Sequence, residues 1–157
     1  MNIMETINIY TDGATPNNRF SKTNNVIGGI GVFIMFNDGT NKSFSEKITN
    51  ATNNKCELLA IKKALEYVKI LNLQNKNVII HSDSMYSINC CTKWNKNWEN
   101  NGWKTSKGKP VENKQIIQDI ILKLEESKNV VIVHVKGHSG NIGNEMADKL
   151  ATSACKS

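Results

Sequence analysis

The sequence predicts an α/β protein built on a mixed five-stranded sheet with helices on both faces. Two observations predict it. The first part of the chain carries strand patterns separated by turn signals, which read as an antiparallel three-strand meander. The rest alternates amphipathic helical patterns with short apolar strands, which adds two parallel strands through helical crossovers. At 157 residues the chain is expected to be one domain over 1–157, long enough to bury a sizeable core.

Each element has its own signal. Residues 5–11 alternate polar and apolar side chains and predict a strand ending at Asp12-Gly13. Residues 15–25 are polar, with Pro16 and several asparagines, and predict a loop. Residues 28–36 are an apolar run entered through glycines, and Asn37-Asp38-Gly39-Thr40 turns it into a strand over 42–48. A helix is predicted over 54–71, with Cys56, Leu59, Ala60, Ala64, Tyr67, Val68 and Leu71 on one face. A buried strand over 77–81 stops at Ser82-Asp83, and a helical stretch and a Trp- and Lys-containing segment over 93–109 follow. An amphipathic helix over 113–126, a strand over 129–135 and a mobile loop over 137–140 come next. A helix over 142–154 closes the chain, with Ala147, Leu150, Ala151 and Ala154 facing inward.

The chain carries a net charge of +6, from 20 basic and 14 acidic residues. That balance favours a polyanionic partner, with nucleic acid first. Cys56, Cys90, Cys91 and Cys155 form no C-x-x-C pair, so they read as reduced, mostly buried thiols of an intracellular, cytoplasmic protein. No signal peptide and no membrane-spanning apolar run is visible, so no membrane partner is expected.

Asp12, Glu57, Asp83 and Asp148 each sit in a separate motif, and each has an ordinary explanation. Asp12 could be a turn residue before Gly13, as Asp38 is before Gly39. Glu57 stands three residues after Asn54, the spacing of a capping box. Asp83 could cap a helix, and Asp148 could be a solvated acid. Gathered at one sheet rim, however, four carboxylates repel one another and call for cations. All-oxygen sites suit Mg²⁺ or Mn²⁺, and two such ions are an apparatus for cutting phosphodiesters.

These residues lie in motifs that resemble the type 1 ribonuclease H family, most closely the catalytic domain of its eukaryotic form. The motifs are Tyr10-Thr11-Asp12-Gly13-Ala14, Thr52-Asn53-Asn54-Lys55-Cys56-Glu57 and Ser82-Asp83-Ser84-Met85-Tyr86-Ser87-Ile88-Asn89. Asn101-Gly102-Trp103-Lys104-Thr105-Ser106, Val135-Lys136-Gly137-His138-Ser139-Gly140 and Ile142-Gly143-Asn144-Glu145-Met146-Ala147-Asp148 complete them, in the family's order. The resemblance implies a ribonuclease H-like fold and an endonuclease that cuts the RNA strand of RNA–DNA hybrids. It implies two Mg²⁺ ions, with Mn²⁺ as substitute, held by Asp12, Glu57, Asp83 and Asp148. It makes His138 the histidine that assists proton movement and product release, and it implies 5′-phosphate and 3′-hydroxyl products. The protein is expected to act as a monomer.

By the same resemblance, Gly13 (through its backbone), Asn18, Asn53, Asn54 and Ser84 would read the RNA strand, with Met85 and Tyr86 beside them. The 2′-hydroxyl is the mark they would read. Trp94, Trp98 and Trp103 are interleaved with Lys93, Lys96, Lys104, Lys107 and Lys109, a platform for the DNA strand. Trp94 is expected to pack and to wall the groove, and Trp98 to be the exposed contact. The resemblance places Thr52, Ser106 and Asn113 in a DNA-phosphate pocket. His81 and His134, inside strands, read as structural.

The chain departs from the family where basic residues are usual: Glu99-Asn100-Asn101 follows Trp98, and Asn50 stands where an arginine is expected. Both changes predict weaker hybrid affinity and an earlier loss of activity with salt. Two rival readings remain: another nuclease of the same architecture, such as a resolvase, an integrase or a detached reverse-transcriptase domain, and a non-cleaving hybrid-binding module. The Trp–Lys segment and the Gly-His-Ser-Gly loop argue against a resolvase and an integrase, and acids at all the ligand positions argue against the binding module.

Overall fold

The structure, a computed structural model, describes residues 5–16, 26–137 and 140–156. The elements in chain order are β1 (Thr6–Ala14), β2 (Gly28–Met35), β3 (Asn41–Ile48), α1 (Asn53–Ile70), β4 (Asn77–Ser82) and α2 (Met85–Asn89). A π-helical turn (Cys90–Trp94) joins α2 to α3 (Asn95–Asn101), and α4 (Lys114–Glu126), β5 (Val130–His134) and α5 (Ile142–Lys156) follow. Among the described residues the strands form one sheet of order β3-β2-β1-β4-β5. β3, β2 and β1 are antiparallel neighbours, while β1, β4 and β5 run parallel. The expected mixed five-stranded sheet is thus the observed one.

Alternation along the strands assigns the two faces. Ile7 and Ile9 of β1, Val32 and Ile34 of β2, and Val78 and Ile80 of β4 are buried in one cluster with Leu58, Ile61, Leu65 and Val68 of α1. Ile117 and Ile120 of α4 join the same cluster. Each fully buried isoleucine side chain stabilises the fold by about 1.5–3 kcal/mol, so α4 is anchored well through these two alone. On the opposite face α5 approaches β2 through small residues. A Cβ on Gly31 would lie 2.2 Å from the carbonyl oxygen of Ala147, and one on Gly29 would lie 2.2 Å from that of Ala151. Only glycine lets the helix backbone come this close, and that approach sets where α5 carries Asp148.

Several boundaries differ from the sequence expectation. β1 does not end at Asp12-Gly13 but continues to Ala14. Its parallel pairing with β4 stops at Thr11 opposite Ser82, whereas its antiparallel pairing with β2 holds Asp12 against Gly31 and Ala14 against Gly29. β1 and β4 therefore part at Asp12, and a crevice of this kind beyond strand ends is where α/β sheets place ligands. Helix α1 buries more than one stripe: Leu58, Ile61 and Leu65 are buried along with Cys56, Ala60, Ala64 and Val68, while Leu59 and Tyr67 are only partly covered. The reason is that α1 packs on the sheet and on α4 at once. The Asp38-Gly39 turn is as expected: Asp38 accepts from the Thr40 backbone at 2.9 Å, and Gly39 has φ of 88°. No described helix is long and apolar enough to cross a membrane.

Candidate active site

Three of the expected carboxylates meet at the parting of β1 and β4. Each of Asp12, Glu57 and Asp83 offers an oxygen, and the three oxygens lie within 4.8 Å of one another. Asp12 is held at the fork by β2, and Asp83 follows the last residue of β4. Glu57 reaches the fork from the first turns of α1 because Gly13 lacks a side chain. A Cβ there would lie 2.6 Å from the backbone of Cys56 and Glu57. The Gly13 N–H donates to Glu57 Oε1 at 2.5 Å and to Asp12 Oδ1 at 2.9 Å, tying the two acids to one point.

The ordinary explanations of these acids do not hold in the structure. The N-cap of α1 is Thr52, whose hydroxyl accepts from Lys55 N at 3.1 Å, so Glu57 is not the partner of a capping box. The N-cap of α2 is Ser84, whose hydroxyl accepts from Ser87 N at 3.1 Å, so Asp83 does not cap that helix. Asp148 lies partly buried on α5, outside the group of three but close enough for its carboxylate to act on Asp12.

The electrostatics follow from this crowding. Asp12 is 6% exposed and Glu57 9% exposed. Burial first, and then the charges of Asp83 and Asp148, push the Asp12 carboxyl up to about 7. Burial, together with Asp12 and Asp83, pushes Glu57 up further still. Such a site takes up either protons or cations. Its donors are all carboxylate oxygens, the set that suits a hard divalent cation, and the residues present fit Mg²⁺ or Mn²⁺.

The other expected residues divide by location. Asn53 and Asn54 are exposed in the first turn of α1, where the Thr15 hydroxyl donates to Asn53 Oδ1. Ser84 and Met85 follow Asp83 directly, and Met85 is 47% exposed. Asn18 and His138 lie outside the described residues. Gly137, next to His138 in the chain, is pressed on the site: a Cβ there would lie 3.1 Å from Asp83 Oδ2.

The aromatic segment is a helical stack. Tyr86 meets Trp94 at 6.1 Å between ring centroids, Trp94 meets Trp98 at 6.1 Å, and Trp98 meets Trp103 at 5.8 Å. Trp98 is half-buried against its neighbours and is not the freely exposed contact expected of it. Tyr86 is pushed up to about 12, mainly by burial, with its hydroxyl beside Cys90 and Asn113. Asn113 starts α4 in the left-handed region, at φ of 61°. Ser106 is exposed in the loop that Thr105 N and Lys109 O close at 2.7 Å. Of the two structural histidines, His81 stacks on Tyr10 at 4.3 Å and meets Asn8 Oδ1 at 2.9 Å. His134 is instead an exposed residue at the end of β5, because α5 covers β1, β2 and β3 and leaves that edge open. The cysteines are free thiols, and all but Cys155 are buried.

The structure also refines the salt argument. Asn50 has φ of 51°, a conformation asparagine tolerates and arginine resists, so it has a backbone reason for being there. The Asn101 side chain accepts from Lys104 N at 3.2 Å and donates to Lys104 O at 3.1 Å, closing a turn. Asn100 is exposed with no such bond to lose and is the clean site for restoring charge. Asn100→Lys is expected to tighten hybrid binding at low salt and to steepen the slope of log K against log salt by about 0.9. A salt titration in which the variant and parent coincide would contradict this.

Sequence reasoning misses one residue. Asn144, one turn before Asp148, is 3% exposed, and its Oδ1 has no hydrogen-bond partner among the described residues. It stands inside the motif of Asp148, but nothing in the sequence pattern marks it as buried.

Fold and site together define an α/β protein with a cluster of carboxylate oxygens, of a kind that suits a cation, at the fork of its central strand. The family model described as RNase H matches residues 4–156. The Ribonuclease H of Francisella philomiragia is 41% identical over 145 residues, covering 92% of this chain and 88% of that protein. The chain belongs to the RNase H family of enzymes. Solved structures agree on the fold. A foamy viral protease-reverse transcriptase in complex with an RNA/DNA hybrid matches 97% of this chain with 20% of its own, at 24% identity and a TM-score of 0.79. LC9-RNase H1, a type 1 RNase H with the type 2 active-site motif, matches 99% of this chain and 74% of its own, at 23% identity and a TM-score of 0.79. The curated relative is bacterial, and the likeness to the eukaryotic form stays an expectation.

Proposed function

We propose that this chain is a metal-dependent endoribonuclease that hydrolyses the RNA strand of RNA–DNA hybrids to 5′-phosphate and 3′-hydroxyl products. The observation that carries the reading is the trio of carboxylate oxygens at the β1–β4 fork of an RNase H family chain. Asp12, Glu57, Asp83 and Asp148 would hold two Mg²⁺ or Mn²⁺ ions. When bound, such ions supply activation of the attacking water and stabilisation of the leaving 3′ oxygen.

The chain's own groups do the remaining work. Gly13 fixes Asp12 and Glu57 by one N–H, so the ligands are oriented before an ion arrives. His138 moves a proton during turnover and product release, a role suited to a group titrating near neutrality. The exposed amides of Asn53 and Asn54, with Ser84, Asn18 and the Gly13 backbone, contact the RNA minor groove, where the 2′-hydroxyl distinguishes the strand. Met85 and Tyr86 adjoin them. Trp94, Trp98 and the lysines of 93–109 hold the DNA strand, and Thr52, Ser106 and Asn113 take one of its phosphates. The protein works as a monomer inside the cell.

End-group analysis tests the chemistry. Fragments from a hybrid incubated with Mg²⁺ are expected to accept a 5′ label only after phosphatase treatment and to be extended directly at their 3′ ends. EDTA is expected to stop their formation. Fragments with 5′-hydroxyl and 2′,3′-cyclic phosphate ends would indicate attack by the RNA's own 2′-hydroxyl and would overturn the reading.

A further inference from the structure

Asn144 is a buried polar side chain that the mechanism above does not use. Its amide oxygen is sealed from solvent and meets no donor among the described residues. Leaving such an acceptor unmatched costs stability, and native proteins seldom carry one without a reason. Capping is not the reason. The Asn144 N–H is already held by Asn141 Oδ1 at 2.9 Å, so the start of α5 is closed without the Asn144 side chain.

Its place in the fold supplies a reason. Asn144 stands four residues before Asp148, so the two share one face of α5. Asp148 bears on Asp12 from that face. The same turn of α5 lies over the middle of β1, because a Cβ on Gly143 would lie 2.3 Å from the ring of Tyr10, two residues before Asp12. With a cation bound the nearby ligating carboxylates are ionised, so they only accept hydrogen bonds and cannot serve an amide oxygen. A divalent cation brings the missing donors, since Mg²⁺ keeps several of its waters when carboxylates bind it. Asn95 Oδ1 is the other orphaned buried atom among the described residues. It lies in the tryptophan segment, outside the cluster of ligating residues formed by Asp12, Glu57 and Asp83.

We propose that Asn144 is a positioning residue of the cation site, its Oδ1 accepting a hydrogen bond from the hydration water of a divalent cation held by Asp148 and Asp12. This rests on the cation-site reading and adds a residue to it. Groups that hold a metal's outer shell are worth about tenfold or more in metal affinity.

The test is a calorimetric Mn²⁺ titration of metal-free protein at fixed pH, paired with the metal-free Tm, for the parent, Asn144→Leu, Asn144→Asp and Asp148→Asn. Asn144→Leu keeps the branched skeleton and removes the orphan acceptor. It is expected to bind Mn²⁺ about tenfold more weakly with a metal-free Tm equal to or above the parent's. Asn144→Asp keeps an acceptor and is expected to bind at least as tightly as the parent. A Leu variant with Mn²⁺ affinity within twofold of the parent overturns the proposal. A Leu variant whose metal-free Tm drops also overturns it, by showing that Asn144 serves the fold. A parent that binds no Mn²⁺ removes the cation-site reading itself, and a parent that binds while Asp148→Asn and Asn144→Leu bind equally well removes only the assignment to this face.

Discussion

Asp12→Asn is expected to leave a folded protein that binds an RNA–DNA hybrid and cuts it at least about a thousandfold more slowly than the parent, a loss of about 4 kcal/mol of transition-state stabilisation. The substitution keeps the shape and removes one negative charge. Asp12 is the acid at the centre of the site: it lies in the group with Glu57 and Asp83, and it also feels Asp148. An amide there would weaken the attraction for the cations proposed to bind. Binding should survive, because the groups proposed to grip the DNA strand lie on the Tyr86–Trp94–Trp98–Trp103 stack and its lysines. Removing an anion from a surface that meets phosphates can only help association. Single-turnover cleavage and a gel shift without metal check the two halves. A variant that cuts within tenfold of the parent would mean that Asp12 is not a ligand.

The same variant should be more stable than the parent when both are metal-free and the pH is high. Asp12 rises from an ordinary 3.8 to about 7 in the folded state, with burial as the leading cause. Glu57 is raised for the same reason and by its acidic neighbours. A raised carboxyl means that the folded state holds protons that the unfolded state has released, so stability falls as pH rises. For Asp12 the fall begins near pH 4, where the unfolded chain ionises, and runs through about pH 7. For Glu57 it continues above that. Asn at position 12 removes the first contribution and relieves Glu57 of a neighbour. The expected result is equal Tm values for variant and parent near pH 4 and a gap of about 3–8 °C in favour of the variant at pH 8. Millimolar Mg²⁺ should close the gap by stabilising the parent, since a ligand of the folded state alone raises its stability. Melting curves at several pH values with EDTA and with Mg²⁺ check this. A gap that is independent of pH would sink the electrostatic account.

Much of this site is legible in the amino-acid pattern alone. Apolar runs place Asp12 and Asp83 at strand ends, with a glycine following one of them, and the sheet order brings those ends together. Glu57 is harder to read, since its spacing from Asn54 imitates a capping box. The structure moves the cap to Thr52, and only then does Glu57 lack a local purpose. The length of β1 escapes the pattern because a strand paired on both sides can lose one partner and keep the other. At Asp12 it loses β4 and keeps β2. Leu58, Ile61 and Leu65 fall outside a single amphipathic stripe because their helix packs against two neighbours. Asn144 is hidden for a different reason: an amide beside acids reads as a polar helix face, and its burial comes from how closely Gly31 and Gly143 let α5 approach the sheet. Burial of that kind is tertiary, and no local pattern encodes it.

The most direct measurement is cleavage of a strand-labelled RNA–DNA hybrid with Mg²⁺, run beside duplex DNA and duplex RNA and with Asp83→Asn as the control. Loss of the RNA strand of the hybrid alone, abolished by the substitution, is the predicted result. Intact hybrid under both Mg²⁺ and Mn²⁺ would contradict the account and leave a binding module in its place. Cutting of duplex DNA would contradict the assigned substrate.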